Sequence, residues 1–305
     1  MRAVQYDNYG GPEVLYLADI PTPAPGPGQL QVRVKAASVN PADAKWRSGM
    51  FKDWMPINLP HIPGYDIAGT VEAVGAGVTD FKPGDRITGL MGNLTHGAYA
   101  EVTVLDAASC AKLPDKIDFA LGASLPVAAL TAAQMIEEHI KPAKGETILV
   151  TGALGAVGRF LVHIALAHGA KVIAAVRPQH ADEAKKLGAS ATIPLDGNAH
   201  GVTFDHVADT IGGPLVAALC KQIKAGKYIC TAATDPIDPT GLAVAPVMVM
   251  LHPDGPRLAQ IAKEVAAGAV TLPIARRMPL TAANAQEAQI LQAKGGQGGK
   301  IILEP

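Results

Sequence analysis

Thr147-Ile148-Leu149-Val150-Thr151-Gly152-Ala153-Leu154-Gly155-Ala156-Val157-Gly158 is the stretch that decides the fold. Its first five residues form a short apolar run of the kind that makes a strand buried on both faces. Gly152 breaks the run. From Val157 to His168 the apolar side chains Val157, Leu161, Ile164 and Ala165 share one helical face, and Gly169 ends it. A second strand-like run, Lys171 to Val176, follows at once. Strand, glycine turn, helix and strand make the βαβ unit of a parallel sheet. Gly155 and Gly158 match the last two glycines of G-x-G-x-x-G, with Ala153 at the first. A glycine at 155 keeps side-chain atoms away from a pyrophosphate, and one at 158 lets helix and strand pack closely. The helix N-terminus adds unpaired N–H groups and a positive dipole end. Gly152, Ala153, Gly155, Ala156, Val157 and Gly158 are thus candidate dinucleotide-binding residues.

The end of the second strand selects the cofactor. A carboxylate there would bond the ribose 2′-hydroxyl of NAD and repel a 2′-phosphate. The chain instead reads Val176-Arg177-Pro178-Gln179-His180, with no acid before Asp182. A guanidinium pairs with a phosphate through two parallel hydrogen bonds. NADP(H) is therefore expected, with Arg177 and His180 as its 2′-phosphate contacts.

Outward from this unit the pattern continues in both directions. Ala181–Leu187 reads as a helix, Phe204–Ala208 and Lys227–Thr231 as strands, and Ala282–Ala293 as a late helix. Before about Asp118 the chain is different. Gln31–Ala36, Gly69–Val74 and Ile87–Leu90 alternate or run as short strands between glycine and proline turns, the mark of a small barrel or folded sheet. The uncharged run Phe119 to Ile136 holds Pro126, Gly122, Ser124, Thr131 and Gln134, which fits buried core better than lipid.

Across its 305 residues, 26 Lys and Arg balance 27 Asp and Glu, for a net charge of −1. Nothing in this favours nucleic acid or an anionic membrane as partner. Hydrophobic residues make up 49% and charged ones 17%, which excludes a disordered chain. Three scattered cysteines, Cys110, Cys220 and Cys230, cannot form a disulfide scaffold. The N-terminus has no signal-peptide core, so a reducing, cytoplasmic location is expected.

Several further segments extend the pattern: Ser38-Val39-Asn40-Pro41-Ala42-Asp43, Pro63-Gly64-Tyr65-Asp66-Ile67-Ala68-Gly69, Phe81 to Arg86, Gly97 to Glu101, Leu125 to Ala132, Asp209 to Gly213, and Gly299-Lys300-Ile301-Ile302-Leu303. In their order and spacing, over essentially the whole chain, they resemble the medium-chain dehydrogenase/reductase superfamily, in particular its zinc-free quinone oxidoreductase (zeta-crystallin-like) branch. The resemblance implies an α/β chain with two parts. A GroES-like β-rich catalytic domain would comprise residues 1–118 and 272–305. A doubly wound Rossmann NADP(H)-binding domain would comprise residues 119–271, with the active site in the cleft between them. A homodimer is implied as well, and Ala243–Leu251 resembles the dimer-edge strand. Thr131 resembles the position lying against the nicotinamide, and Thr210 is placed with the cofactor. Leu195 stands where some relatives carry a tyrosine on the adenosine side.

Zinc-dependent relatives have Cys at the position of Asn40, His at Tyr65, and Cys or an acid at Val127. Asn, Tyr and Val cannot build a thiolate/imidazole site, so no metal is expected. Without a Lewis acid, the easiest acceptors are those that delocalise incoming charge, such as quinones and α,β-unsaturated carbonyls. Asn40 and Tyr65 are the candidate donors to the acceptor oxygen. Asp43 and Asp66 would brace the site, and Trp46 and Phe51 would wall the substrate pocket. Two other classes stay open: an NADPH-binding redox sensor or structural protein with little turnover, and a zinc-independent alcohol dehydrogenase.

Overall fold

The computed structural model describes residues 1–305 except Trp54, residues 93–96 and Ala225. The chain divides into two compact units, residues 1–127 with 252–268 and 272–305, and residues 128–251 with 269–271.

Numbered along the chain, the strands of the first unit are β1 (Arg2–Gln5), β2 (Tyr16–Asp19), β3 (Gln29–Ser38), β4 (Asp66–Val74), β5 (Arg86–Leu90), β6 (Val102–Asp106) and β7 (Cys110–Lys112). The returning end adds β14 (Ile274–Pro279) and β15 (Lys300–Glu304). They form a sheet of order β14-β15-β3-β4-β5-β7, with β6 also on β3, beside a β1–β2 hairpin. β3 is its spine. Leu30, Val32, Val34 and Ala36 point inward while Arg33 and Lys35 point out, the period of two that a one-sided core demands. Leu30, Val32 and Val34 join Tyr6, Ile67, Ile87, Tyr99 and Leu105 in one core. β15 returns antiparallel onto β3 with Ile302 opposite Ser38. That pairing brings residue 300 beside the end of β3 and the start of α1 (Pro41–Arg47).

The expected boundary at residues 118/119 moves to 127/128, and residues 252–268 leave the second unit for the first. Packing explains the second change. Helix α7 (Gly255–Ala266) starts against β7, where a Cβ on Gly255 would lie 2.5 Å from the carbonyl oxygens of both Ala108 and Cys110. Only glycine admits so close an approach.

In the second unit, β8 (Thr147–Thr151), β9 (Lys171–Ala175), β10 (Ala191–Ile193), β11 (His206–Asp209), β12 (Ile229–Thr231) and β13 (Pro246–Met248) form one parallel sheet. Its order, β10-β9-β8-β11-β12-β13, reverses at β8, the doubly wound pattern with its switch point beside the first strand. Two strands begin later than the apolar runs do. Asp205 accepts from the Thr147 N–H and from Lys224, and Lys227 pairs with Glu146, so side-chain partners occupy residues expected in the ladder. Phe119 to Ile136 becomes α2 (Phe119–Ala123), α3 (Pro126–Gln134) and the start of a π-helical turn over Met135–Ile140. Among the described residues no helix is long and apolar enough to cross a membrane.

Candidate functional sites

The glycine loop sits at the switch point, between β8 and α4 (Ala156–Ala167). Gly152 has φ of +65°, a left-handed turn that favours glycine. A Cβ at Gly158 would lie 2.1 Å from the Gly152 oxygen and 2.7 Å from Ala153 Cα, so helix and turn touch only because it is absent. Gly155 is different: it is exposed, caps α4, and its missing Cβ would come no nearer than 3.2 Å to anything, at Gly152 O. The space it leaves opens onto the first turn of the helix, a cradle suited to a pyrophosphate.

Two residues that sequence reasoning missed hold this cradle. Arg159 is buried, donating from Nε to the Leu154 carbonyl at 3.1 Å and pairing its terminal nitrogen with Glu183 of helix α5 (Ala181–Lys186). Asp209 is wholly buried at the end of β11. Its Oδ1 accepts from Thr151 Oγ1 (2.5 Å) and the Ile211 N–H (3.0 Å), and its Oδ2 from Thr231 Oγ1 (2.6 Å) and the Gly212 N–H (3.0 Å). One carboxylate thus fastens the ends of three adjacent strands. Thr210 spends its hydroxyl on the Thr151 carbonyl (2.9 Å), so it braces the loop from below.

Arg177 follows β9 at the start of a 3-10 turn over Pro178–His180, is exposed, and has no ion-pair partner among the described residues. His180 donates its N–H to the Arg177 carbonyl (2.9 Å), and its ring Nδ1 lies 4.0 Å from Glu183. Thr131 is buried in α3, and Leu195 packs against the apolar core of the second unit. The loop, its bare helix terminus and the cation after β9 together fit a nicotinamide dinucleotide. When bound, that cofactor supplies or accepts hydride.

In the first unit, Asn40 and Asp43 come together with Asp66 and Lys300 in a buried polar cluster. Asn40 caps α1, and Asp43, three residues on, accepts the Asn40 N–H at 2.8 Å. The Asn40 amide is already engaged. Its Oδ1 accepts from Lys300 Nζ (2.6 Å) and its Nδ2 donates to Asp66 Oδ2 (2.8 Å), so it braces the cluster and does not project a free donor. Asp66 also accepts from Ser38 Oγ (2.5 Å) and the Val127 N–H (2.7 Å), with Lys300 Nζ at 3.4 Å. Asp43 accepts the Tyr99 hydroxyl at 2.8 Å on Oδ2, while its Oδ1 has no partner among the described residues. Burial pushes the Asp43 carboxyl up to about 7. The Asn40 and Tyr99 hydrogen bonds and the Lys300 charge oppose that rise, and the Asp66 charge adds to it.

Tyr65 stands immediately before β4; its side chain is half-buried and its hydroxyl is buried, with no partner among the described residues. Burial, then the Asp43 charge, push that hydroxyl well above the ordinary range. Trp46 and Phe51 do meet, edge to face, with ring centroids 5.1 Å apart. Among the described residues no group of three His, Cys, Asp or Glu could hold a metal ion. The thiols Cys110, Cys220 and Cys230 are all free and buried; burial pushes those of Cys220 and Cys230 up to about 12, so both are poor nucleophiles.

Comparison with known proteins agrees with this arrangement. Residues 26–115 match the alcohol dehydrogenase GroES-like domain and residues 153–303 the zinc-binding dehydrogenase family. The chain is 30% identical over 329 aligned positions to the chloroplastic quinone oxidoreductase of Triphysaria versicolor, covering all of this chain and 98% of that one. It superposes on the quinone oxidoreductase from Coxiella burnetii with a TM-score of 0.88 at 28% identity, over 100% of this chain and 99% of that one. A thermostable alcohol dehydrogenase from Pyrobaculum aerophilum gives 0.85 at 26%, again over 100% and 99%. A GroES-like unit and a Rossmann unit with a dinucleotide cradle define an oxidoreductase that binds a nicotinamide cofactor. The chain belongs to the medium-chain dehydrogenase/reductase superfamily, in its quinone oxidoreductase branch.

Proposed function

We propose that the protein is an NADPH-dependent reductase that transfers hydride to a quinone or an α,β-unsaturated carbonyl without zinc. The observation that carries this reading is the Lys300 ammonium, buried between Asn40 Oδ1 and Asp66 Oδ2. Asn40 and Tyr65 stand where zinc-dependent relatives have ligands, and here an amide already bonded to an ammonium replaces the thiolate. A divalent ion 4 Å from that ammonium would be repelled by roughly 8 kcal/mol at an effective dielectric of 20. An acceptor that spreads its own negative charge needs no such ion.

NADPH is favoured over NADH by Arg177, an exposed guanidinium with no ion-pair partner among the described residues. A charge-assisted bond contributes about 1.5–3 kcal/mol, enough for a preference of tenfold or more. Glu183, on the following helix, is paired with Arg159. A homodimer fits the open outer edge of β13, where Val247 and Met248 are exposed and Met250 follows. Three free buried thiols support a reducing compartment, the cytoplasm.

The test is NADPH oxidation with a simple quinone and a short enone in the presence of a strong chelator, with product identification. Chelator-resistant turnover is expected. Loss of activity with the chelator, restored by zinc, overturns the reading. The structural likeness to alcohol dehydrogenases supports a second one, and secondary-alcohol oxidation with NADP as the sole activity would establish it.

A further inference from the structure

His206, the first residue of β11, is buried, with 2% of its side chain exposed, and both of its ring nitrogens are engaged. Nε2 lies 2.9 Å from Oε2 of Glu146, which immediately precedes β8. Nδ1 accepts the backbone N–H of Tyr228, the residue before β12, at 3.3 Å. The Tyr228 ring stacks on the imidazole, with centroids 6.0 Å apart and planes inclined by 14°. A ring nitrogen that accepts a hydrogen bond carries no hydrogen. The bond from Tyr228 therefore assigns the proton to Nε2, which donates it to Glu146. His206 is a neutral imidazole with one donor, one acceptor and a partner for each.

The bond to Tyr228 stands at a junction. Just beyond it the Val207 N–H donates to the Tyr228 carbonyl at 2.9 Å, and the β11–β12 ladder begins. β13 pairs with β12 and ends the sheet. A second proton on the ring goes to Nδ1 and turns the acceptor into a donor. Two N–H groups would then face each other across 3.3 Å, and the contact must open.

We propose that His206 is a proton-operated latch on the outer edge of the parallel sheet. Neutral, it ties Tyr228, and with it β12 and β13, to β11; protonated at Nδ1, it lets that edge loosen. The proton comes from solvent and returns to it. The latch goes beyond the reductase reading, and its consequence for assembly rests on the homodimer reading above.

The groups around the imidazole leave it as the part that changes charge. Hydrogen bonds from His206, Lys227 and the Ala143 N–H hold the Glu146 carboxyl down to about 2, so it stays an anion throughout. Lys227 pairs with its other oxygen. Asp205 is occupied by the Thr147 N–H and Lys224. Ile148, opposite His206 on β8, carries no charge. The π-helical turn over Met135–Ile140 packs on β11. It brings Glu137, paired with His168, and Glu138 and His139, which line a cavity with Tyr228. Carboxylates and ammonium groups ordinarily keep their charge between about pH 5 and 8, where an imidazole changes its own. His139 and His168 are imidazoles as well, so the experiment reads His206 by its own resonances.

That experiment is a nitrogen-15 NMR titration of the full chain between about pH 8 and pH 5, with amide hydrogen exchange read at Tyr228. At the upper end His206 should show a bare Nδ1 and a protonated Nε2. As Nδ1 takes up its proton, protection of the Tyr228 amide, corrected for the intrinsic pH dependence of exchange, should fall about tenfold. His206→Asn, whose side-chain oxygen can stand in for Nδ1, should keep that protection at every pH. Sedimentation should show the dimer weakening with acid in the wild type and not in the variant. A proton on Nδ1 at the upper end, a ring that stays neutral throughout, or Tyr228 protection that does not follow the ring would each overturn the proposal. If His206→Asn does not fold, the wild-type spectrum and exchange decide. A chain that is monomeric at every pH overturns the homodimer reading alone, and the exchange data still decide the latch.

Discussion

The ammonium of Lys300 meets the amide oxygen of Asn40 at 2.6 Å although 260 residues separate them in the chain. That bond fixes which way the Asn40 amide faces. With Oδ1 turned to Lys300, Nδ2 is turned to Asp66, and the carboxylate gains a donor and a nearby cation in the same arrangement.

Lys300→Met removes the cation and leaves the buried Asp66 charge uncompensated. The loss expected is about 3–5 kcal/mol, read as a lower urea midpoint at neutral pH. Adding Asp66→Asn should recover part of it, because the two residues share one network. Additive losses would show that the two side chains do not interact. Asn40→Ala should lower stability as well as turnover.

The two glycines of the cradle should separate folding from cofactor binding. Gly158→Ala drives a methyl into the Gly152 carbonyl, and about 1–3 kcal/mol of stability should go with it. Gly155→Ala brings a methyl to 3.2 Å from the Gly152 oxygen and near nothing else, so its melting temperature should fall less than that of Gly158→Ala while NADPH affinity falls at least tenfold. Thermal melts and nucleotide fluorescence titrations read the two quantities.

Arg177→Ala should weaken NADPH binding by about tenfold and leave NADH unchanged, since only the 2′-phosphate loses a partner. Arg177→Asp should erase the preference. Equal losses for both cofactors would move the 2′-phosphate contact to another residue.

Two buried groups set opposing dependences on pH. Asp43, raised from 3.8 to about 7, stabilises fully below 3.8 and loses that contribution as pH rises through 7. His61, lowered by burial from 6.5 to about 4, stabilises above 6.5 and loses that contribution as pH falls through 4. Between pH 6.5 and 4.5 the two nearly cancel. In Asp43→Asn only His61 remains, so denaturation midpoints should drop over that window by an amount worth about 1–2 kcal/mol relative to wild type.

The second unit was legible because its signals are local. A buried run, a glycine turn and a helical face follow one another between Thr147 and His168, and each reports its own conformation. The polar cluster was only half legible. Asn40 and Asp43 announce a helix start at short range, but nothing near Lys300 says that it reaches a residue 260 positions earlier. Arg159 was hidden for another reason: it stands among apolar neighbours on α4 and is buried through partners in Leu154 and Glu183. The assignment of α7 to the first unit depends on backbone contact at Gly255, which no periodicity records.

The closing strand β15 also sets a timetable. Asn40, Asp43 and Asp66 leave the ribosome early, whereas Lys300 emerges only after the whole second unit has been made. Until then Asp66 lacks its cation and β3 lacks its β15 neighbour. The nucleotide-binding half can therefore complete its own sheet during synthesis, and the first-made half of the molecule is the last to mature.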